Sequence, residues 1–310
     1  MQTILISGGT GLIGTALSSL LTAKGYKVII LSRQLPAANK QPFNKNIGFA
    51  KWDVKKKEID IAALQQADYI IHLAGAGVMD KKWTDRYKKE IIGSRVDSSK
   101  LIANTLKQNP NKVKAVISAS AIGFYGKDEE PAKPFTEDAT ADKSFLGDTC
   151  KLWEESMTPV IALNKRLVTL RIGIVLSKSG GALKEFMQPL KFGIAAILGN
   201  GKQMISWIHI DDLCSQFLFA IENESMSGVY NAVAPNPVNN KTLTITLAKK
   251  IKRLFYIPFC VPVFILKIML GGRSIEILKS TTVSCKKIIA EGFNFQFDTI
   301  DKALERFNKN

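Results

Sequence analysis

Histidine, cysteine and acid are all scarce in this 310-residue chain, and each shortage excludes a class of chemistry. There are two histidines, His72 and His209, and four cysteines, Cys150, Cys214, Cys260 and Cys285. The cysteines are widely spaced, with no CxxC pair and no Cys/His cluster. That spacing argues against a structural zinc site or a disulfide framework. We expect no metal, a reducing cytoplasm, and four cysteines that act as small buried hydrophobes. Acid is outnumbered, 27 Asp and Glu against 43 Lys and Arg, for a net charge of +16. The first acidic residue of the chain is Asp53. None of the six tyrosines has a lysine four positions on.

The basic excess is spread along the chain in short clusters such as Lys55-Lys56-Lys57. Such a surface favours anionic small molecules and solubility over a nucleic-acid groove, so no nucleic-acid partner is expected. The chain opens on a strand and a glycine loop, with no signal-peptide pattern. One apolar run, Leu254 to Leu270, is nearly long enough to cross a bilayer. Pro258 and Pro262 interrupt it and Lys267 charges it. It reads as a buried loop followed by a core-facing helix, with peripheral membrane contact as the alternative and no transmembrane segment.

What is present is clearest at Gly8-Gly9-Thr10-Gly11-Leu12-Ile13-Gly14. An apolar run, Thr3–Ser7, precedes it and a helical pattern, Leu12–Ala23, follows it. Strand, glycine turn and helix in that order form a cradle for a dinucleotide pyrophosphate. The glycines permit the turn and the close approach of phosphate, strand and helix. The helix N-terminus supplies free N–H groups and a positive dipole end.

Strand-like runs at Thr3–Ser7, Lys27–Leu31, Tyr69–Leu73, Val113–Ser118 and Leu167–Ile172 alternate with helical patterns near Leu12–Ala23, Asp85–Gln108 and Leu146–Ala162. This alternation predicts an α/β fold, a doubly wound parallel Rossmann sheet. Farther on, Ile205–Ile210 reads as a strand, Leu213–Ile221 as a helix after Asp211-Asp212, and Val229–Val233 as the last core strand. Pro235-Asn236-Pro237 marks a boundary. The expected organisation is a dinucleotide-binding domain over residues 1–234, with about 176–205 contributing to a substrate lobe. A smaller, mostly helical C-terminal lobe follows over 235–310.

An NAD-selective site carries an acid at the end of the second strand, about 20 residues past the glycines. Here that place holds Ser32-Arg33, and no acid precedes Asp53. Arg33 can fork onto a 2′-phosphate and Ser32 can add a hydroxyl, so the expected cofactor is NADP. Asp53 is read either as an acceptor for the adenine amino group or as a solvated loop carboxylate.

The segments GGTGLIG, HLAGAG, ISASAIGFYG, LRIGIVL, WIHIDD and YNAVAP together resemble the extended short-chain dehydrogenase/reductases, the group that includes nucleotide-sugar epimerases and dehydratases. KEIIGSR (Lys89–Arg95), SKSGGAL (Ser177–Leu183), GNGKQMISWIHIDD (Gly199–Asp212) and APNPVNN (Ala234–Asn240) resemble its epimerase-like subgroup. So do Ile257–Leu270 and Glu291-Gly292-Phe293, which look like that subgroup's C-terminal domain of unknown function. The resemblance implies NADP, with Gly8, Gly11 and Gly14 at the pyrophosphate and Thr10, Leu12 and Ile13 beside it. It places Ser32 and Arg33 at the ribose phosphate, Leu73, Ala74 and Gly75 on the adenosine side, and Val175 near the nicotinamide. Glu90 and Arg95 either contact the cofactor or form a helix-surface ion pair.

The same resemblance calls for a serine, a tyrosine and a lysine four residues after it, which lowers the phenol's pKa for proton exchange. Lys151 fits the lysine place, but Gly147 stands where the tyrosine belongs. Ser120 is the candidate serine, although its spacing to Tyr125-Gly126 is one residue longer than usual, so Ala121 is the alternative. Tyr125, His209 and Asp211 could donate protons, but read as a packing aromatic and a buried hydrogen-bonded pair. Ser120 and Lys151 are therefore the catalytic candidates. The expected function is an NADP(H)-dependent, epimerase-like oxidoreductase for a small or nucleotide-linked substrate. The alternative is a non-catalytic NADP(H)-binding regulator, of the kind described as cell-division related.

Overall fold

The strand ahead of the glycine loop, β1 (Thr3–Ser7), is buried at all five residues, and everything else in the N-terminal part is arranged around it. We describe the protein from a computed structural model covering residues 1–36, 44–129, 133–252 and 255–307. After β1 come α1 (Leu12–Ala23), β2 (Lys27–Ser32), β3 (Ile47–Asp53), β4 (Glu58–Ile59), α2 (Ile61–Gln66), β5 (Tyr69–His72), α3 (Asp85–Gln108), β6 (Ala115–Ala121), α4 (Phe145–Met157) and β7 (Arg166–Ile172). Then follow β8 (Ile174–Leu176), α5 (Ala182–Lys191), β9 (Ile194–Leu198), β10 (Met204–Ile205), β11 (Trp207–His209), α6 (Ile210–Glu222), β12 (Gly228–Ala232) and β13 (Val238–Asn239). The chain closes with α7 (Asn240–Lys252), β14 (Ile257–Val261), α8 (Val263–Leu270), α9 (Ser274–Leu278), α10 (Lys286–Ala290) and α11 (Ile300–Arg306).

The main sheet has eight strands in the order β12-β7-β6-β5-β1-β2-β3-β4. All its pairings are parallel except β3 with β4. The order reverses direction at β1, flanked by β2 and β5, and ligands in such sheets bind beyond the strand ends at that reversal. Side chains alternate across the sheet. Ile4 and Ile6 join Leu17 and Leu21 of α1 and Phe217 and Ile221 of α6 on one face. Leu5 and Ile70 pack with Leu64 of α2 and Leu101 and Ile102 of α3 on the other. Burying each such side chain is worth about 1.5–3 kcal/mol. This is the α/β Rossmann architecture that the alternation predicts.

A third cluster, separate from the sheet, unites Leu183 and Leu190 of α5, Trp207 of β11, Leu243 and Leu247 of α7 and Leu304 of α11. It ties residues on both sides of Pro235–Pro237 into one packed unit. Strand β9 pairs in parallel with β14, and β8 pairs in parallel with β11.

The structure departs from the sequence reading in four places. Strand β3 was not expected, because Gly48 and Lys51 dilute its apolar pattern, yet its pairing with β2 fixes it. Helix α4 stops at Met157, and Pro159 opens a 3-10 turn over Thr158–Leu163, since proline cannot donate the next helical hydrogen bond. The strand expected over Ile205–Ile210 is broken at Ser206, whose Oγ donates to Thr281 O and accepts from Val283 N. His209 then caps α6. Finally, the run from Leu254 is not a buried loop and core-facing helix: β14 is an exposed strand, and in α8 only Leu266 is buried. Leu254 itself lies outside the described residues. Cys260, on β14, is likewise exposed, while the other three cysteines are buried.

Candidate functional site

The glycine loop closes tightly. Gly8 turns with φ +73°, and a Cβ there would sit 2.8 Å from the Leu73 carbonyl carbon. A Cβ on Gly14 would lie 2.5 Å from both Gly8 O and Gly9 Cα. Only hydrogen at these two positions lets β1, β5 and α1 meet. The Gly11 N–H donates to Gly8 O at 3.1 Å. Gly11 caps α1 without any side-chain hydrogen bond, and the first turn carries no acid. The leading N–H groups of α1 thus point out of the turn with the positive end of the helix dipole behind them, ready for an anion. Thr10 is exposed at the loop tip and Ile13 is half-buried. Leu12 reaches over to the 177–181 loop, its Cδ2 3.1 Å from where a Gly181 Cβ would stand. Val175, in β8, is half-buried beside the same loop.

At the end of β2, Ser32 Oγ donates to Gln34 O at 2.7 Å, and Arg33 is exposed. Asp53, at the end of β3, accepts the Lys55 and Lys56 N–H groups at 2.9 and 3.2 Å. Its carboxylate therefore organises the following turn. Leu73 and Ala74 pass against Gly8, and Gly75 lies against the Arg95 side chain. Glu90 is exposed and pairs with Lys81 at 3.7 Å. It forms no pair with Arg95, which is half-buried and donates to Ala76 O and Ile91 O. Arg95 also lies over the Trp153 ring at 4.9 Å. Burial pulls the Arg95 pKa down, and the guanidinium braces the loop after β5.

A polar network beneath the loop escaped the sequence reading. His72 is fully buried; its Nδ1 hydrogen-bonds Ser7 Oγ at 2.6 Å, and its Nε2 faces Ser98 and Ser99 Oγ at 3.2 and 3.1 Å. Burial, with Arg95 nearby, lowers its pKa to about 3, so the ring is neutral. The signal was the pairing of Ser7 and His72 at the ends of two apolar strands with two serines on the buried stripe of α3.

The catalytic candidates do not converge. Ser120 lies within β6, and its Oγ donates to Glu154 Oε1 at 2.6 Å. Glu154 holds Arg171 through two contacts of 2.8 Å, and Arg171 also donates to Tyr125 Oη at 2.9 Å. Burial works against the Arg171 charge, but the Glu154 carboxylate more than offsets it and raises the pKa. Tyr125 is fully buried and donates to Asn231 Oδ1; burial pushes its phenol up. Lys151 is exposed and reaches Glu155 at 3.9 Å. At Gly147 the Asp142 carbonyl occupies the space a Cβ would need, so no side chain fits there. The two α4 residues that face Gly123 are Leu146 and Cys150, and burial raises the Cys150 thiol to about 11. His209 Nδ1 accepts the Asp211 N–H, and its ring packs at a tilt against Phe297 and stacks on Phe307, which fixes it as a joint between α6 and α11.

The sequence profile of the NAD dependent epimerase/dehydratase family matches residues 4–232. The chain belongs to that family. A second profile, a domain of unknown function, matches residues 261–307. The epimerase family protein YfhF of Bacillus subtilis is 35% identical over 98% of this chain and 97% of its own. Among solved structures, the human epimerase family protein SDR39U1, determined with NADPH, superposes with a TM-score of 0.86 at 27% identity, covering 100% of both chains. A nucleoside-diphosphate sugar epimerase from Corynebacterium glutamicum superposes with a TM-score of 0.77 at 29% identity, covering 99% of this chain and 58% of that one. This family member therefore has the fold of the extended short-chain dehydrogenase/reductases.

Proposed function

We propose that the protein binds NADP(H) on the Gly8–Gly14 loop and uses it in an epimerase-like oxidoreductase reaction on a small or nucleotide-linked substrate. The observation that carries this reading is the uncapped, acid-free N-terminus of α1, closed against β1 and β5 by glycines that admit no Cβ. NADP(H) fits it: the N–H groups would take the pyrophosphate, Arg33 and Ser32 the 2′-phosphate, and Leu73 to Gly75 the adenosine side. When bound, the cofactor supplies or accepts a hydride. Val175 would border the nicotinamide, and the C-terminal lobe of residues 235–310, with 176–205, would cover the substrate. The human relative's NADPH supports the cofactor choice. Fluorescence titration of purified protein with NADPH and NADH tests it: tighter binding of NADPH is expected, and equal affinities would remove the 2′-phosphate assignment.

Three observations favour a second reading, an NADP(H)-binding regulator, including one in cell division. Gly147 leaves no space for a tyrosine, Lys151 faces solvent and Ser120 is committed to Glu154. Incubating hydride-labelled NADPH with the protein and cell extract separates the two. Label in an acceptor establishes turnover; retained label with tight binding establishes the regulator.

A further inference from the structure

The exposed phenylalanines are concentrated in one region. Phe192, Phe255, Phe259 and Phe264 are 83, 72, 52 and 64% exposed, and no other phenylalanine among the described residues is exposed. Strand register places them together. Ile257 of β14 pairs with Ile194 of β9 and Phe259 with Ala196, while Ile257 N–H donates to Gly193 O. Phe192 and Phe255 therefore sit at the same end of this two-stranded sheet. At its other end Pro262 leads into α8, where Phe264 and Ile268 are exposed one turn apart, with Lys267 between them also exposed. A free monomer rarely leaves so much contiguous aromatic and aliphatic surface in water.

Charge and backbone identify what covers it. From Ser225 to Ile275 there is no acidic residue and there are seven Lys and Arg. Because Ile257 directs its N–H to β9, the next residue, Pro258, faces the outer edge of β14 and has no N–H to give. That edge is blunted against addition of another strand. No helix among the described residues is long and apolar enough to cross a membrane. The nearby Glu276 of α9 is paired with Lys279, whereas β14 and α8 themselves carry Lys267 and no acid; aromatic side chains beside such a lysine match the boundary between acyl chains and anionic headgroups.

We propose that β14 and the outward face of α8, with Phe192, form a docking face for an anionic lipid surface. This goes beyond the cofactor assignment and does not depend on it. The test is co-sedimentation of the full-length protein with phosphatidylcholine vesicles, alone or with about a third phosphatidylglycerol, at low and high salt. The protein is expected to pellet with the anionic vesicles and to be released by salt. Phe264→Glu with Ile268→Glu should lower vesicle affinity at least about tenfold, and Lys267→Glu several-fold, with the melting temperature and NADPH titration unchanged. Absence of binding to anionic vesicles at low salt would overturn the proposal, as would equal binding by the double variant. A concentration-dependent dimer abolished by the double variant, without vesicle binding, would assign the face to a second copy instead.

Discussion

At the scale of single residues, the cradle depends on atoms that are missing as much as on atoms that are present. Gly14→Ala would bring a methyl to 2.5 Å from Gly8 O and Gly9 Cα. The backbone would have to give, at a cost of about 1–3 kcal/mol. A lower melting temperature together with lost NADPH binding is expected; a variant that binds normally would show that the loop does not touch the cofactor. Arg33 is exposed at the end of β2, so Arg33→Ala should leave stability alone. It should weaken NADPH roughly tenfold or more and NADH less than about twofold. Equal losses in the two titrations would sink the 2′-phosphate role. Both residues were legible in the sequence because the glycine turn and the acid-free stretch before Asp53 are local facts. Ser120 was less so: its strand and neighbourhood could be read, but not its commitment to Glu154, a residue 34 positions away.

At the scale of elements, α4 presents two faces with different roles. The inward face carries Glu154, whose carboxylate meets the almost fully buried Arg171 at 2.8 Å. Glu154→Leu would leave that guanidinium unpaired, at a cost of about 3–5 kcal/mol. Arg171 also donates to the Glu137 carbonyl at 3.1 Å; denaturant unfolding should show the loss, and a change below about 1 kcal/mol would mean that Tyr125 and that carbonyl suffice to hold the charge. The outward face carries Lys151 and Glu155, an exposed pair at 3.9 Å. Lys151→Ala should shift stability by less than about 0.5 kcal/mol and leave NADPH affinity unchanged. If label transfer from NADPH occurs in the wild type and Lys151→Ala abolishes it, Lys151 is catalytic despite its outward position. Helical spacing located this element from the sequence, but the choice between Gly147/Lys151 and Leu146/Cys150 as the inward pair is a rotation of one residue, which only packing against Gly123 resolves.

For the whole molecule, the two histidines tie stability to pH in the same direction. Burial holds His72 at about 3 and His209 at about 4, both below the ordinary 6.5. The unfolded chain therefore binds more protons than the native one between those values. Stability from this source is complete above pH 6.5 and is lost as pH falls toward the folded values. Between pH 6.5 and 5, before most carboxylates titrate, unfolding free energy should fall by up to ~1.4 kcal/mol per pH unit for each histidine. Equilibrium unfolding over that range measures it, and His72→Gln should roughly halve the slope. A flat profile would contradict neutral burial of the two rings.

The strand, loop and helix that make the cradle, the α/β alternation, the missing Tyr-x-x-x-Lys and the absence of acid before Asp53 can all be read from the order of residues alone. These are short-range patterns, set by two- and 3.6-residue periodicity and by glycine stereochemistry. Long-range packing sets the rest: His72 lies under the loop among Ser7, Ser98 and Ser99, Arg171 and Glu154 sequester Ser120, and β14 and α8 turn outward. Each of these depends on which distant elements share a face. An apolar run such as Ile257–Leu270 reads the same whether a core covers it or not; its exposure is settled by the pairing of β14 with β9 at the edge of the fold.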